Sequence, residues 1–465
     1  MGQSSSSNTQ HLSRQVPQQY HNHHPKMISS LMGPTPSSSK MIVFGLGSNN
    51  HQTFGSKHPT TATSLVKLEI GSQTSQFTLL QVSCGGDFAF FLVRDLLTME
   101  NRLFVSGYSG TGEHGVSQVG KGRIHDITDE IKQLIGMKNL CIIQACCGWN
   151  HSMIMVEYDE EGLMHGYEKN YRKVALYGTG FNNHGQLSVG NTSSINRFGT
   201  PADVSKIKPN HLNGSSRLIS RFNTCAILST DNTLYAAGNN GKGEMGRTGQ
   251  FYVFEKIRDG VRDADFSYSH SMIITMDGKV WSSGSNDYGK LGHSHADSFA
   301  FLEASIPEPG LKVSLGIHHS IILTTSGSVY ACGYNSHGEL GIDSSVTEQR
   351  VFQKVNLDFI AKDVTSGFYH TCIISSMNKV YVAGVEWKLK GKKEQFSEID
   401  TSACADQKEI ADINAVYSGG YFTICYHLPQ FESRQLREML HKLSLIVENC
   451  FGEANQLQDV VIKLQ

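Results

Sequence analysis

The sequence predicts an all-β chain folded as a seven-bladed β-propeller. Two short motifs each recur seven times, the interval between them is fixed in four successive copies, and 46 of 465 residues are Gly against only 10 Pro. Length alone would suggest about three domains of roughly 150 residues. A repeat overrides that prior, because each unit buries its apolar faces only against its neighbours. The expected layout is a disordered Ser/Gln/His-rich tail over residues 1–40, one propeller over 41–428, and an amphipathic helical or coiled-coil segment over 429–465.

The first motif has two strand residues followed by an anchor glycine. It reads Val43-Phe44 to Gly47, Leu103-Phe104 to Gly107, Leu176-Tyr177 to Gly180, Leu234-Tyr235 to Gly238, Val280-Trp281 to Gly284, Val329-Tyr330 to Gly333 and Val380-Tyr381 to Gly384. Six copies continue into an arm with further glycines, as in Gly284-Ser285-Asn286-Asp287-Tyr288-Gly289-Lys290-Leu291-Gly292. The copy after Gly384 instead passes into a run containing Lys388, Lys390, Lys392 and Lys393, expected to be a solvated loop.

The second motif is a small residue and Gly, then His-Ser or its substitute, then an apolar run. It centres on Phe88, His151, Thr224, His270, His319, His370 and Phe422. From 224, 270, 319 and 370 the next anchor lies 14 residues on. Six residues before an anchor stand Asn101, Asn232, Gly278, Gly327 or Asn378, residues that tolerate the positive φ of a tight two-residue hairpin. The two motifs are therefore antiparallel partners. Their strands are apolar on both faces, as expected of sheets packed between other sheets. The first anchor motif lacks a preceding partner and the last His-Ser motif lacks a following one. The N-terminal strand should therefore complete the final blade and lock the ring.

The repeat also governs the candidate sites. His151, His270, His319 and His370 recur at one frame position, which predicts side-chain hydrogen bonds within the ring and not catalysis. No Ser-His-Asp or paired-carboxylate constellation departs from the frame, so no enzyme activity and no cofactor or metal is expected. Lys and Arg number 40 against 42 Asp and Glu, and the tail carries only Arg14, Lys26 and Lys40; specific nucleic-acid binding is not expected. Ten cysteines without CxxC spacing read as buried free thiols.

Departures from the frame mark candidate contact sites. His151 to Gly180 spans 29 residues where 14 is usual, and the added segment (about 157–173) predicts an extended hairpin with Tyr158, Tyr167, Tyr171 and Arg172 as interaction candidates. Met1-Gly2-Gln3-Ser4-Ser5-Ser6 fits N-myristoylation at Gly2, which would give only weak, reversible membrane contact. Leu436, Leu440, Leu443, Val447, Cys450, Ala454, Leu457, Val461 and Leu464 form a seam with 3.5-residue period. It predicts a helix over 431–465 that pairs with a second copy or packs on the propeller.

WD-repeat and kelch patterns are absent. Cys147-Gly148-Trp149-Asn150-His151-Ser152, together with Val329-Tyr330-Ala331-Cys332-Gly333-Tyr334-Asn335-Ser336-His337-Gly338-Glu339-Leu340-Gly341, resembles the regulator of chromosome condensation repeat. The resemblance covers about 41–428 and implies a seven-bladed propeller; it says little about function, because that repeat serves many roles. The family's founding member is a guanine nucleotide exchange factor for the small GTPase Ran that inserts a β-wedge and tethers to chromatin through a basic tail. Here the arms keep one spacing and the tail is not basic. A plant ultraviolet photoreceptor of the family needs clustered tryptophans, whereas Trp149, Trp281 and Trp387 fall in different units. The expected function is a non-catalytic protein-interaction scaffold with a protein partner of the small-GTPase kind. The alternatives are a Ran-type exchange factor and a substrate-recognition module of a ubiquitin ligase. The expected location is the cytoplasm, with peripheral membrane contact through Gly2, in preference to the nucleus.

Overall fold

In the computed structural model the chain divides into Met1–Lys40 and Met41–Gln465. The structure describes residues 42–427, except 55–56, 58–60, 72–75, 117–123, 160–172, 344, 385–394 and 400–412. The expected tail and C-terminal helix, with Gly2 and 431–465, lie outside the described residues.

Seven antiparallel sheets make the ring. Blade 1 comprises Phe77–Cys84, Phe88–Asp95, Asn101–Gly107 and His125–Asp126; blade 2 has Cys141–Cys147, His151–Tyr158 and Lys173–Gly180. Blade 3 comprises Arg217–Arg221, Thr224–Leu228, Leu234–Gly238 and Phe251–Arg258, and blade 4 comprises Val261–Phe266, His270–Thr275, Val280–Gly284 and Ser298–Glu303. Blade 5 comprises Gly310–Leu315, His319–Thr324, Val329–Tyr334 and Glu348–Lys354; blade 6 has Ala361–Ser366, His370–Ser375, Val380–Gly384 and Ser397–Glu398. Blade 7 takes its inner strands, Ala415–Ser418 and Phe422–His427, from the end of the ring and its outer strands, Ile42–Ser48 and Thr61–Leu68, from the beginning. The register Ile42↔His427 through Gly47↔Phe422 is the expected closure. It joins chain segments almost 400 residues apart, so the ring is held by a full strand pairing and not by apolar contact alone.

Apolar residues on both faces of each strand are spent between blades. Seven clusters fill the seven gaps, from Phe90, Ile142 and Ile154 between blades 1 and 2 to Phe91, Phe422 and Ile424 between blades 7 and 1. Burial at about 25 cal/mol per Å² of apolar surface is the main stabilising term. The innermost strands would leave unpaired N–H groups around the central channel, a liability of any edge strand. Side chains of the preceding blade accept these donors. Ser83 Oγ takes Cys147 N–H (2.9 Å), Asp265 Oδ2 takes Leu315 N–H (2.8 Å), Ser314 Oγ takes Ser366 N–H (2.8 Å) and Thr365 Oγ1 takes Ser418 N–H (3.2 Å).

The hairpins differ from expectation in one respect. In blades 3 to 6 the loop has three residues, not two. Asn232, Gly278, Gly327 and Asn378 donate to the carbonyl three residues back, and the next pair closes through a single bond, as in Ser229 N–H to Thr233 O (3.0 Å). Their φ values of 58° to 84° mark a turn followed by a left-handed bulge residue, which needs Gly or Asn as surely as a two-residue loop does. Asn101 is corrected outright. Blade 1's strands run longer, Met99 takes the left-handed position (φ 59°), and Asn101 lies in the strand with its amide donating to Ile142 O (2.8 Å). One element was not anticipated, a helix α1 (Thr128–Ile135) after blade 1. Asp126 Oδ1 accepts Thr128 N–H at its start (3.0 Å), Gly136 (φ 70°) ends it, and Ile131 is buried.

Candidate functional site

The repeat frame fixes the geometry of one face of the ring. Each second strand begins, and each third strand ends, on this face, so the loops between first and second strands and the glycine-rich arms gather there. At six anchors φ lies between 97° and 122°, and a Cβ would stand 2.2–2.5 Å from the carbonyl oxygen of the residue before the His position. Only glycine allows that approach. Where an arm lacks its later glycine the backbone keeps the turn: Gln52 (φ 60°) and Ser188 (φ 56°) sit at such positions.

The recurrent histidines lie inside this scaffold. His270 Nε2 meets Ser320 Oγ (2.9 Å), His319 meets Thr371 Oγ1 (3.1 Å) and His370 meets Thr423 Oγ1 (3.0 Å), each the hydroxyl beside the His position one blade on. His151 reaches Ser220 Oγ (2.9 Å) and Cys225 Sγ (3.2 Å) of blade 3. Ser320 and Thr371 in turn donate to the arm carbonyls of Lys290 (2.7 Å) and Glu339 (2.8 Å), so His270 and His319 must be the donors to them, as neutral imidazoles. Burial agrees: it pushes the pKa of His151, His319 and His370 down to about 3, and that of His270 well below the usual value. These side chains form an inter-blade belt with no open substrate position. Gly148, Gly316 and Gly367 are small because the following imidazole lies against them.

The arms have their own caps. Glu113, Glu244 and Glu339 each accept the N–H two residues earlier, from Thr111 (2.9 Å), Lys242 (2.8 Å) and His337 (2.9 Å). Burial raises the Glu339 carboxyl to about 7. Blade 4 departs from this pattern, with Lys290 at the equivalent place. Its buried ammonium donates to Ser269 Oγ (2.9 Å) and faces Asp287 Oδ2 at 3.6 Å. In the same arm Tyr288 takes a left-handed backbone (φ 62°) and stays partly exposed.

Residues beside the frame build the outward surface. At the channel mouth Trp149 lies edge-on to Phe222 (6.4 Å), Tyr268 (6.0 Å) and Phe368 (5.6 Å), and Phe222 stacks on Phe368 (5.4 Å). Phe368 touches Tyr421 (5.2 Å), which neighbours Tyr369 (6.2 Å). From Tyr369 the rings run on through His337 (5.8 Å) and Tyr334 (5.7 Å) to Tyr288 (4.7 Å), with His318 between Tyr288 (5.1 Å) and Tyr369 (6.2 Å). Beneath them Arg221 spans the channel. Its guanidinium donates to the carbonyls of Leu315 (2.8 Å), Ser366 (2.9 Å) and Ser418 (3.3 Å) and faces Asp265 Oδ1 at 3.4 Å. From blade 3 this one arginine thus reaches four other blades at the axis, directly below the aromatic mouth.

Sequence reasoning passed over these rings, because each sits inside an arm or one or two places before a His position, where other copies carry residues as different as Gly86 and Ile317. The signal available was the aromatic run across copies: Trp149, Phe222, Tyr268 and Phe368 all stand two before it. Of the loop candidates, Tyr158 pairs with Lys173 where the described blade-2 strands end on the opposite face; Tyr167, Tyr171 and Arg172 lie outside the described residues. Among the described residues no three His, Cys, Asp or Glu side chains gather as a metal site. All eight described cysteines are free and seven are buried.

Comparison with known proteins agrees with the repeat frame. A family model for the regulator of chromosome condensation repeat matches residues 261–290 and 311–339, in blades 4 and 5. The chain is 42% identical over 231 residues to the Protein RCC2 homolog of Xenopus laevis, covering 43% of this chain and 39% of that protein. It is 28% identical over 167 residues to the human X-linked retinitis pigmentosa GTPase regulator, covering 36% and 13%. The matches span between 12% and 39% of the lengths of the curated relatives. Among solved structures, Prp20p of Saccharomyces cerevisiae, studied for its binding to Gsp1p and histones, superposes with TM-score 0.66 at 17% identity, covering 87% of this chain and 95% of that one. With seven blades and a strand-locked ring, the chain is a propeller that carries regulator of chromosome condensation repeats, matched at residues 261–290 and 311–339.

Proposed function

We propose that the propeller is a non-catalytic scaffold that binds a protein partner of the small-GTPase class on its arm face. The observation that carries this reading is the continuous aromatic and imidazole surface from Trp149 at the channel mouth to Tyr288 in blade 4. Tyrosine and tryptophan are the side chains that most often dominate binding energy at protein interfaces. Tyr268, Tyr288 and Tyr421 are exposed there on a backbone held by buried hydrogen bonds, so little ordering cost accompanies docking. The class of partner is supported by likeness to a GTPase regulator and by a shared fold with Prp20p, whose binding to Gsp1p is described.

The test combines binding with nucleotide release over a panel of purified small GTPases. The expected result is binding by wild type, lost in Tyr288→Ala/Tyr369→Ala, without acceleration of release. Acceleration that depends on the arm face would replace the scaffold by an exchange factor. Full binding by the double variant would move the interface elsewhere.

A further inference from the structure

The three buried arm carboxylates are equivalent in the repeat frame but unequal in their hydrogen bonds. Each uses one oxygen for the N–H two residues earlier. In blade 1 the other oxygen, Glu113 Oε1, accepts from Thr111 Oγ1 (2.9 Å), and in blade 3 Glu244 Oε1 accepts from Asn239 Nδ2 (2.7 Å). Those donors stand at the fourth and the first residue after the anchor glycine. In blade 5 the same two places hold His337 and Tyr334, and neither side chain donates to the carboxylate. Glu339 Oε1 is buried without a partner among the described residues. Its charge is uncompensated too. Burial raises both the Glu244 and Glu339 carboxyls, but Lys242 and Lys290 help to offset it at Glu244, whereas only backbone N–H groups do so at Glu339, which rises to about 7. A buried acceptor is costly to leave unmade, and the frame shows how the other arms avoid it.

The rings that replace the donors form a corner. Tyr334 and Tyr369 flank the exposed His337 imidazole at 5.7 Å and 5.8 Å, and each is steeply inclined to it, at 71° and 76°. Burial raises the pKa of the Tyr369 phenol, and the nearby Tyr421 and Glu339 add to the rise, so the carboxyl lies close to this ring. Aromatic faces beside a carboxylate attract a cation. A guanidinium suits the pair best, because it offers a flat face to the rings and several N–H donors to the oxygen.

Taking the arm face as the interface, we propose that this corner receives an arginine side chain of the partner, its guanidinium lying between Tyr334 and Tyr369 and donating to Glu339 Oε1 as the His337 imidazole turns aside. An exposed ring changes rotamer fast and freely, so His337 is no barrier. The arginine then supplies from outside the donor that Thr111 and Asn239 supply from within in blades 1 and 3.

The probe that tests it is N-acetyl-arginine methylamide, with the uncharged citrulline counterpart as control. Each is titrated into the full chain labelled at the histidine ring Cε1 carbons and followed by NMR. The expected result is a saturable shift of the His337 signal by arginine in the millimolar range, and none by citrulline. Glu339→Gln should weaken binding at least about tenfold. Gln186 Oε1 accepts the equivalent N–H in blade 2 (3.0 Å), so the cap survives this change. Tyr334→Asn, which installs the blade-3 donor, should abolish the shift. No saturable shift in wild type, citrulline matching arginine, or wild-type affinity in either variant would overturn the proposal. The two readings fail separately. GTPase binding that survives Tyr288→Ala/Tyr369→Ala removes the arm-face interface, whereas binding lost in that variant and kept in full by Glu339→Gln removes only the arginine receptor.

Discussion

The two ends of the channel are built from the same seven blades and use polar chemistry in opposite ways. On the turn face, charges pair locally and in the open: Lys132 with Glu100 (3.2 Å), Lys279 with Glu303 (3.3 Å), Lys354 with Glu308 (3.2 Å) and Lys379 with Glu398 (2.8 Å). On the arm face the strong polar contacts are buried and cross from blade to blade, and a run of rings reaches solvent among the polar arm residues. Exposed pairs contribute little each, because water already solvates both partners. Buried donors and acceptors are costly to orphan. The arm face is thus the pre-organised one, and its outward residues are free to be chosen for a partner.

The comparison is sharpened first at the axis. Arg221→Ala leaves three carbonyls and Asp265 without their cation, and an expected loss of about 3–5 kcal/mol should appear as a lowered urea midpoint. An unchanged midpoint would mean that the four blades do not depend on it.

Acid should act through the same buried layer. His151, His319 and His370 are held near pKa 3 when folded, against about 6.5 in the unfolded chain, so below pH 6.5 the unfolded state binds protons that the folded state refuses. Stability from these groups is complete above pH 6.5 and falls as pH drops toward 3. Glu339, raised to about 7, works in the opposite sense between pH 7 and 4.5, but it is one group against several histidines. Urea midpoints measured from pH 7 to 4 should decline; a flat profile would contradict neutral, buried imidazoles.

Among the rings, Tyr369→Ala should cost about 2 kcal/mol of partner affinity, close to thirtyfold, with an unchanged unfolding midpoint. Tyr288→Gly separates the two properties further. It removes a left-handed strain of about 1–2 kcal/mol along with the ring contacts, so binding should fall while stability moves by no more than about 1 kcal/mol. Binding by titration and unfolding by urea, on the same samples, decide both.

Within the belt, His319→Phe should lose about 1 kcal/mol, the net worth of one hydrogen bond, since Phe88 and Phe422 already fill this frame position in blades 1 and 7. The smallest effect belongs to the other face. Lys279→Ala and Lys379→Ala should each stay within about 0.5 kcal/mol of wild type in thermal or urea unfolding. A larger loss there would remove the contrast between the faces.

The sequence by itself determined the ring: seven units, the pairing of His-Ser strands with anchor strands, and closure by the first strand. Those features rest on local necessities, such as a positive φ at Asn232 or Gly278 and a carbonyl against Gly284, and local necessities recur at one frame position. The length of the hairpin loops was less legible, because Gly or Asn suits a two-residue turn and a three-residue bulge alike. Asn101 misled for the same reason: its residue type fits a turn that a longer strand had moved to Met99. Only the tertiary structure decided what each face presents. Trp149, Tyr268 and Phe368 share a place two residues before the His position, but they lie far apart in the chain, and nothing in the sequence joins them to Tyr288 in an arm. Curvature of the ring brings their loops to one mouth.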